Sequence, residues 1–321
     1  MACYHPIDAV RGNVPNESGK FPLIFNKEMV KAASKLGLEP IQVPCGQCIG
    51  CRLERSRQWA IRCVHEASLY EHNCFITLTY RDDCLPMCAE LSTVDKDTGE
   101  VFDQTPTLVK ADFQKFMKRF RDKFYPQKIR YVMCGEYGDQ NDRPHYHACI
   151  FNFDFGDKVL WRVRDNVKLY RSPTLEKLWP FGFSTIGKVT FESAAYLSRY
   201  ITKKVTGEAA DVYYGFRVPE YNAMSLKPGI ASGWFDKYAS SVYPKDFLTM
   251  RGIKLKPPKY YDNLYEKQDS DKMCRIKELR KERALKIAKD CTPERLATRE
   301  KVQNLRFKRL IRLNETKGFN N

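Results

Sequence analysis

The sequence predicts an α+β fold: a central antiparallel sheet of about five strands with helices packed on it, a cysteine-rich N-terminal segment and a basic helical C-terminal tail. Three observations predict it. Runs rich in β-branched and aromatic residues alternate with stretches of helical period between residues 74 and 204. Three of the 12 cysteines fall together at Cys45, Cys48 and Cys51. The net charge is +16, and residues 251–321 hold 21 Lys and Arg against 10 Asp and Glu.

Composition also excludes several classes. A chain of 321 residues, 43% apolar and 13% aromatic, buries a core and is not disordered. No window approaches the run of about 18 apolar residues that a membrane helix needs, so no membrane partner is expected. Met1–Pro6 begins no basic-then-apolar leader, which predicts a reducing cytoplasm with cysteines as thiols or metal ligands. Lys and Arg number 55 against 39 acids, a balance that suits a polyanion partner.

The elements follow in order. Residues 1–44 read as irregular, broken by Pro6, Pro15, Pro22, Pro40 and Pro44. A helix runs from Arg52 to about Tyr70, then a strand from Cys74 to Tyr80. Residues 81–106 read as loop, with a short strand near Glu100–Phe102. Phe113, Phe116, Met117, Phe120 and Phe124 share one helical face. Ile129–Glu136 and His145–Phe151 read as strands joined by the polar turn 138–143, an antiparallel hairpin. A short helix near Leu175–Trp179, a strand at Phe183–Thr190 and a helix at Glu192–Lys204 come next. Residues 206–268 read as loop, and Asp271–Leu313 as basic helix. The expected division is 1–72, 73–250 and 251–321, with the helices on one face of the sheet.

Two patterns carry chemistry. In a strand, His145 and His147 project to the same side, and Glu136 on the partner strand can lie opposite. Two imidazoles and a carboxylate make a three-ligand site for a divalent metal, and equally they suit the wet face of a sheet. Tyr196 and Tyr200 lie one helical turn apart, so their hydroxyls can serve one locus or their rings can pack on the sheet. Lys203 and Lys204 follow.

The ordered set Phe75–Thr79, His145-x-His147 and Tyr196-x-x-x-Tyr200 with Lys203-Lys204 resembles the three motifs of rolling-circle initiators, the HUH endonucleases. Pro44–Cys51, Cys134–Gly138 and Tyr196–Lys204 resemble more narrowly the replication initiators of gokushovirus-like small single-stranded DNA phages, the Microviridae. The resemblance runs from the N-terminus to about residue 250. It implies an HUH/RRM-like sheet, and a metal-dependent enzyme that nicks single-stranded DNA at a replication origin through a 5′-phosphotyrosine intermediate. It implies Mg²⁺ or Mn²⁺ on His145, His147 and Glu136, with Tyr196 and Tyr200 as nucleophiles and Lys203 or Lys204 balancing charge. In single-tyrosine relatives the tyrosine sits before the lysine, which favours Tyr200 for the first cut. With no G-x-x-x-x-G-K-[ST] motif in the chain, a host helicase and DNA polymerase are the expected partners, in the bacterial cytoplasm. The rival readings are a plasmid-type initiator, an HUH transposase, or a non-catalytic zinc-containing nucleic-acid-binding protein.

Cys45, Cys48 and Cys51 have the spacing of thiolate zinc ligands. A fourth ligand is required, with Cys3 the first choice and Cys63 and His65 its rivals; otherwise the thiols simply pack. Cys74, Cys134 and Cys149 read as core residues. Arg52, Arg55, Arg57 and Arg62, with Arg275, Lys277, Arg280, Lys281 and Arg283 in the tail, are candidate phosphate contacts. Tyr213, Tyr214, Phe216 and Trp234 are candidate stacking partners for unpaired bases.

Overall fold

The computed structural model describes residues 3–17, 21–33, 35–38, 40–88, 105–138, 142–164, 167–200, 204–205, 207 and 209–316, with side chains for all of these but 164, 199, 200, 209 and 309–316. The expected strand at Glu100–Phe102 lies outside them. The chain forms two compact units, one drawn from Met1–Arg55 and Arg280–Leu313, the other built on Ser56–Leu279.

The N-terminal residues, expected to be irregular, hold a small antiparallel sheet. Strand β1 (Ile7–Arg11) lies between β2 (Leu23–Ile24) and β3 (Pro40–Val43). Its prolines misled because Pro40 opens a strand, where a missing N–H is tolerated. Helix α1 (Lys27–Ala32) starts where Asn26 Oδ1 accepts the backbone N–H groups of Glu28 and Met29 at 2.9 and 3.1 Å. Tyr4, Cys48 and Leu296 form a small core in this unit. Helix α2 (Ile49–Ala67) follows.

The second unit is organised by strand alternation. It contains β4 (Asn73–Tyr80), α3 (Lys110–Lys123), β5 (Arg130–Tyr137), β6 (Pro144–Phe151), β7 (Val159–Arg164), β8 (Val167–Arg171), α4 (Pro173–Leu178), β9 (Gly182–Gly187), α5 (Phe191–Tyr200), α6 (Ala209–Tyr214), β10 (Tyr221–Met224), α7 (Ser232–Val242), β11 (Leu248–Met250), β12 (Ile253–Leu255) and α8 (Lys259–Gln268). The main sheet has seven strands rather than about five, in the order β10-β5-β6-β4-β9-β8-β7, and all neighbours are antiparallel. The basic tail is helical as expected: α9 (Ser270–Lys286) and α10 (Pro293–Thr316), separated by a 3₁₀ turn at Ala288–Cys291.

Helices cover both faces of the sheet, not one. Ile76, Leu78, Tyr146, Ala148 and Ile150 pack with Phe113, Phe116 and Phe120 of α3 and with Leu175 and Leu178 of α4. The Phe120 ring meets Phe153 at 4.8 Å, edge to face. Truncating one such buried ring costs about 3–5 kcal/mol. The residues between them in sequence, Val132, Cys134, Cys149 and Phe151, point the other way. They meet Ala60, Ile61 and Cys63 of α2, Ala194 and Leu197 of α5, and Phe235 of α7. Cys74, Cys134 and Cys149 are thus core residues, as the sequence suggested.

Candidate active site

Strand register assembles the first cluster. Glu136 lies directly opposite His145 across β5 and β6, and Thr79 of β4 lies opposite His145 on its other side. His147 falls in the adjacent row, between Cys134 and Thr77. Period-two alternation turns all these side chains to the face that carries α2, α5 and α7.

The three candidate ligands converge there. Glu136 Oε1 is 2.8 Å from His145 Nε2 and 2.8 Å from His147 Nε2. Glu136 is 1% exposed and His147 4%. The Arg143 carbonyl, 2.9 Å from His145 Nδ1, can only accept, so that nitrogen carries a proton. In the neutral ring, Nε2 then turns a lone pair toward the carboxylate. Thr77 Oγ1 is 2.9 Å from His147 Nδ1, a partner that lets His147 present Nε2 in the same way. Glu136 Oε2 is buried with no hydrogen-bond partner among the described residues. Lone pairs converging on a buried carboxylate call for a cation between them. The donor set, two imidazole nitrogens and a carboxylate with all ligand atoms within 4.8 Å of one another, fits a divalent metal.

Helix α5 lies on the same face. Its start is a reciprocal cap: Ser193 N–H donates to Thr190 Oγ1 at 3.2 Å, and Thr190 N–H donates to Ser193 Oγ at 2.8 Å. Buried Ala194 and Leu197 seat it on the sheet, and Arg251 pairs with Glu192 in its first turn. The Tyr196 ring stands edge-on to His147, with centroids 5.3 Å apart. Phe75 flanks the same imidazole at 5.6 Å. Tyr200 closes the helix, but its side chain and all of Lys203 lie outside the described residues. Lys204 is exposed.

The cysteines form a second cluster. Sγ atoms of Cys3, Cys45, Cys48 and Cys51 lie within 4.8 Å of one another, with Cys3 3.6 Å from Cys45 and 3.9 Å from Cys48. Tetrahedral zinc with Zn–S of about 2.3 Å spaces its sulfurs about 3.8 Å apart, so the donors fit. Backbone N–H groups point at the sulfurs: Tyr4 at Cys48 (3.3 Å), Cys45 at Cys3 (3.2 Å) and Cys48 at Cys45 (3.3 Å). Burial raises the Cys48 pKa, but the N–H of Tyr4 and neighbouring thiols outweigh it and bring it to about 7. Burial pushes the Cys51 and Cys3 thiols up. The rival ligands are elsewhere: Cys63 is fully buried in the second core, and His65 is stacked on Trp234 at 3.5 Å.

Some expected DNA contacts are otherwise engaged. Arg62 lies over the Trp59 and Tyr260 rings at 4.1 and 3.9 Å and donates to the Ile230 carbonyl. Arg57 donates to the Lys256 carbonyl at 2.9 Å. Tyr214 is buried and bonded to Glu220, and Trp234 is held by His65. Arg55, Arg275, Lys277, Lys281, Arg283, Tyr213 and Phe216 are exposed, while Arg52 and Arg280 are half-buried. Sequence reasoning quoted Phe75–Thr79 but missed what Thr77 does. The signal was available, because period two places Thr77 beside the His145/His147 pair once the strands are adjacent.

No helix among the described residues is long and apolar enough to cross a membrane. No solved structure matches the chain. Residues 73–205, which span the candidate cation ligands and α5, match the family of replication-associated proteins of the ORF2 type. Replication-associated protein ORF2 of Spiroplasma virus 4 is 33% identical over 309 residues, 90% of this chain and 87% of that protein. Replication-associated protein VP4 of Bdellovibrio phage phiMH2K is 31% identical over 285 residues, covering 85% and 79%. Replication-associated protein ORF4 of Chlamydia phage 1 is 28% identical over 240 residues, covering 71% of this chain and 55% of that one. With its paired histidines and first tyrosine gathered on one sheet face and this similarity along nearly its whole length, the chain belongs to the family of phage replication-associated proteins, the initiators of phage DNA replication.

Proposed function

We propose that this initiator is a site-specific, metal-dependent endonuclease and strand transferase of the HUH type, acting on single-stranded DNA at a replication origin in the host cytoplasm. The observation that carries the reading is the shared face: the His147 imidazole and the Tyr196 ring are 5.3 Å apart. Glu136, His145 and His147 would hold Mg²⁺ or Mn²⁺, which when bound supplies Lewis-acid polarisation of the scissile phosphate. Thr77 and the Arg143 carbonyl hold the two imidazoles in the orientation that offers Nε2.

The tyrosine does the bond chemistry. The Tyr196 or Tyr200 oxygen forms a bond to phosphorus as the P–O3′ bond breaks, and the phenolic proton leaves so that a free 3′-OH results. The DNA 5′ end stays on the protein, which conserves the phosphodiester for later ligation. Lys203 and Lys204 would balance the charge that builds on phosphorus. With two tyrosines one turn apart, one holds the first end while the other cuts the copied origin. The four cysteines would hold structural Zn²⁺, and host helicase and polymerase would extend the 3′-OH.

The test is an origin single strand incubated with the full chain and Mn²⁺, scored for a covalent adduct on a denaturing gel. Tyr196→Phe combined with Tyr200→Phe abolishes the adduct, whereas each single substitution leaves a measurable fraction. An adduct undiminished in the double variant overturns the nucleophile assignment.

A further inference from the structure

The sheet continues past the cation ligands, and its next exposed side chain is aromatic. Thr79 pairs with His145 on one side and with Phe183 of β9 on the other. Glu136, His145, Thr79 and Phe183 therefore form one row across four adjacent strands, all on the same face. The adjacent row carries His147, Thr77 and Thr185. Over β5 and β6 this face is covered by helices, but on β4 and β9 it opens: Thr77, Thr79 and Thr185 are half-buried and Phe183 is 59% exposed.

Phe183 is held firmly for so exposed a ring. At the preceding residue, Gly182, a Cβ would fall 2.3 Å from the Thr79 carbonyl oxygen and 2.4 Å from the Arg81 nitrogen. Only glycine lets β9 begin so close to β4, and that contact fixes where Phe183 leaves the sheet. Cations border the row. Arg143 donates to the Tyr80 carbonyl and pairs with Asp82, Arg81 pairs with Asp83, and Lys188 is exposed just beyond β9.

We infer that Phe183 is a stacking platform for an unpaired base of the strand held at the cation site. This rests on the DNA-nicking reading above and adds a subsite to it. An aromatic face fits a base, the threonine hydroxyls beside it fit sugar and phosphate oxygens, and the bordering cations fit a polyanion. Two strand spacings of about 4.8 Å put Phe183 about 10 Å from His145. That distance corresponds to about three nucleotides at the stacked rise of about 3.4 Å, and fewer in an extended strand. The base seated there lies next to the cut, so the platform sets how the scissile phosphate is presented.

The experiment uses the full chain and a single-stranded oligothymidylate carrying one 2-aminopurine, read by anisotropy and by 2-aminopurine quenching over a range of salt. Phe183→Ala weakens binding about tenfold and removes the quenching, with the slope of affinity against salt and the melting temperature unchanged. Phe183→Tyr restores both. A Phe183→Ala chain that binds within twofold of the parent, or whose salt slope changes, overturns the platform. If the parent chain binds and quenches yet never forms an adduct with origin strand, the nicking reading fails and the platform stands.

Discussion

At the scale of single residues, the cation cluster depends on a hydroxyl that is not a ligand. Thr77 meets His147 Nδ1 at 2.9 Å and decides which nitrogen faces Glu136. Thr77→Val should weaken Mn²⁺ binding about tenfold or more, as loss of such outer partners does, and Thr77→Ser should restore it. Calorimetric Mn²⁺ titration checks this without any turnover. A second histidine shows the opposite logic. His65 is buried against Trp234, with Nδ1 2.8 Å from the Tyr261 hydroxyl, and burial pulls its pKa down to about 4. The unfolded chain binds this proton below about pH 6.5 and the folded chain does not. Its stabilisation is therefore complete above that pH and lost progressively as pH falls toward 4, by about 3 kcal/mol in all. Urea unfolding at stepped pH should show the decline in the parent and a shallower one in His65→Phe.

At the scale of elements, the cysteine cluster binds the start of a helix to the chain's first residues. Cys51 lies in the first turn of α2, a turn with no acidic residue, and Cys3 lies ahead of β1. Exposed backbone N–H groups at a helix start favour thiolate. Purified protein should contain zinc, and Cys48→Ala should lose it while the β5–β6 cluster still binds Mn²⁺. Stripping zinc should leave the four thiols reactive toward a disulfide reagent and residues 1–44 open to protease, because metal binding at such sites is also folding free energy. Helix α5 depends on different supports, the Thr190–Ser193 cap and the Glu192–Arg251 pair, so the two ends of the chemistry are secured independently.

At the scale of the molecule, the sequence announced its centre better than its borders. The β5–β6 hairpin, α3 and α5 were readable because their faces are buried on one side, and burial writes periodicity into sequence. Strands β7 and β8 escaped notice because Val159, Leu160, Trp161 and Val163 are all exposed, so no alternation marks an inner face. The six elements between residues 209 and 268 escaped because several are only three to six residues long. Glu136 and His145 were foreseeable as a pair across a turn, and Cys3 as a clip on an otherwise proline-rich start. The Thr77 contact needed the β4–β6 register, which joins residues 70 positions apart and leaves no local trace. That contrast between near and far has a consequence in time. All three candidate cation ligands lie within residues 136–147, on one hairpin that closes on itself, whereas Tyr196 enters from a later helix. On the proposed chemistry, a nascent chain emerging from the ribosome carries its complete ligand set before it owns any means of cutting. Premature cleavage by a half-made enzyme is prevented by nothing more than the order of translation.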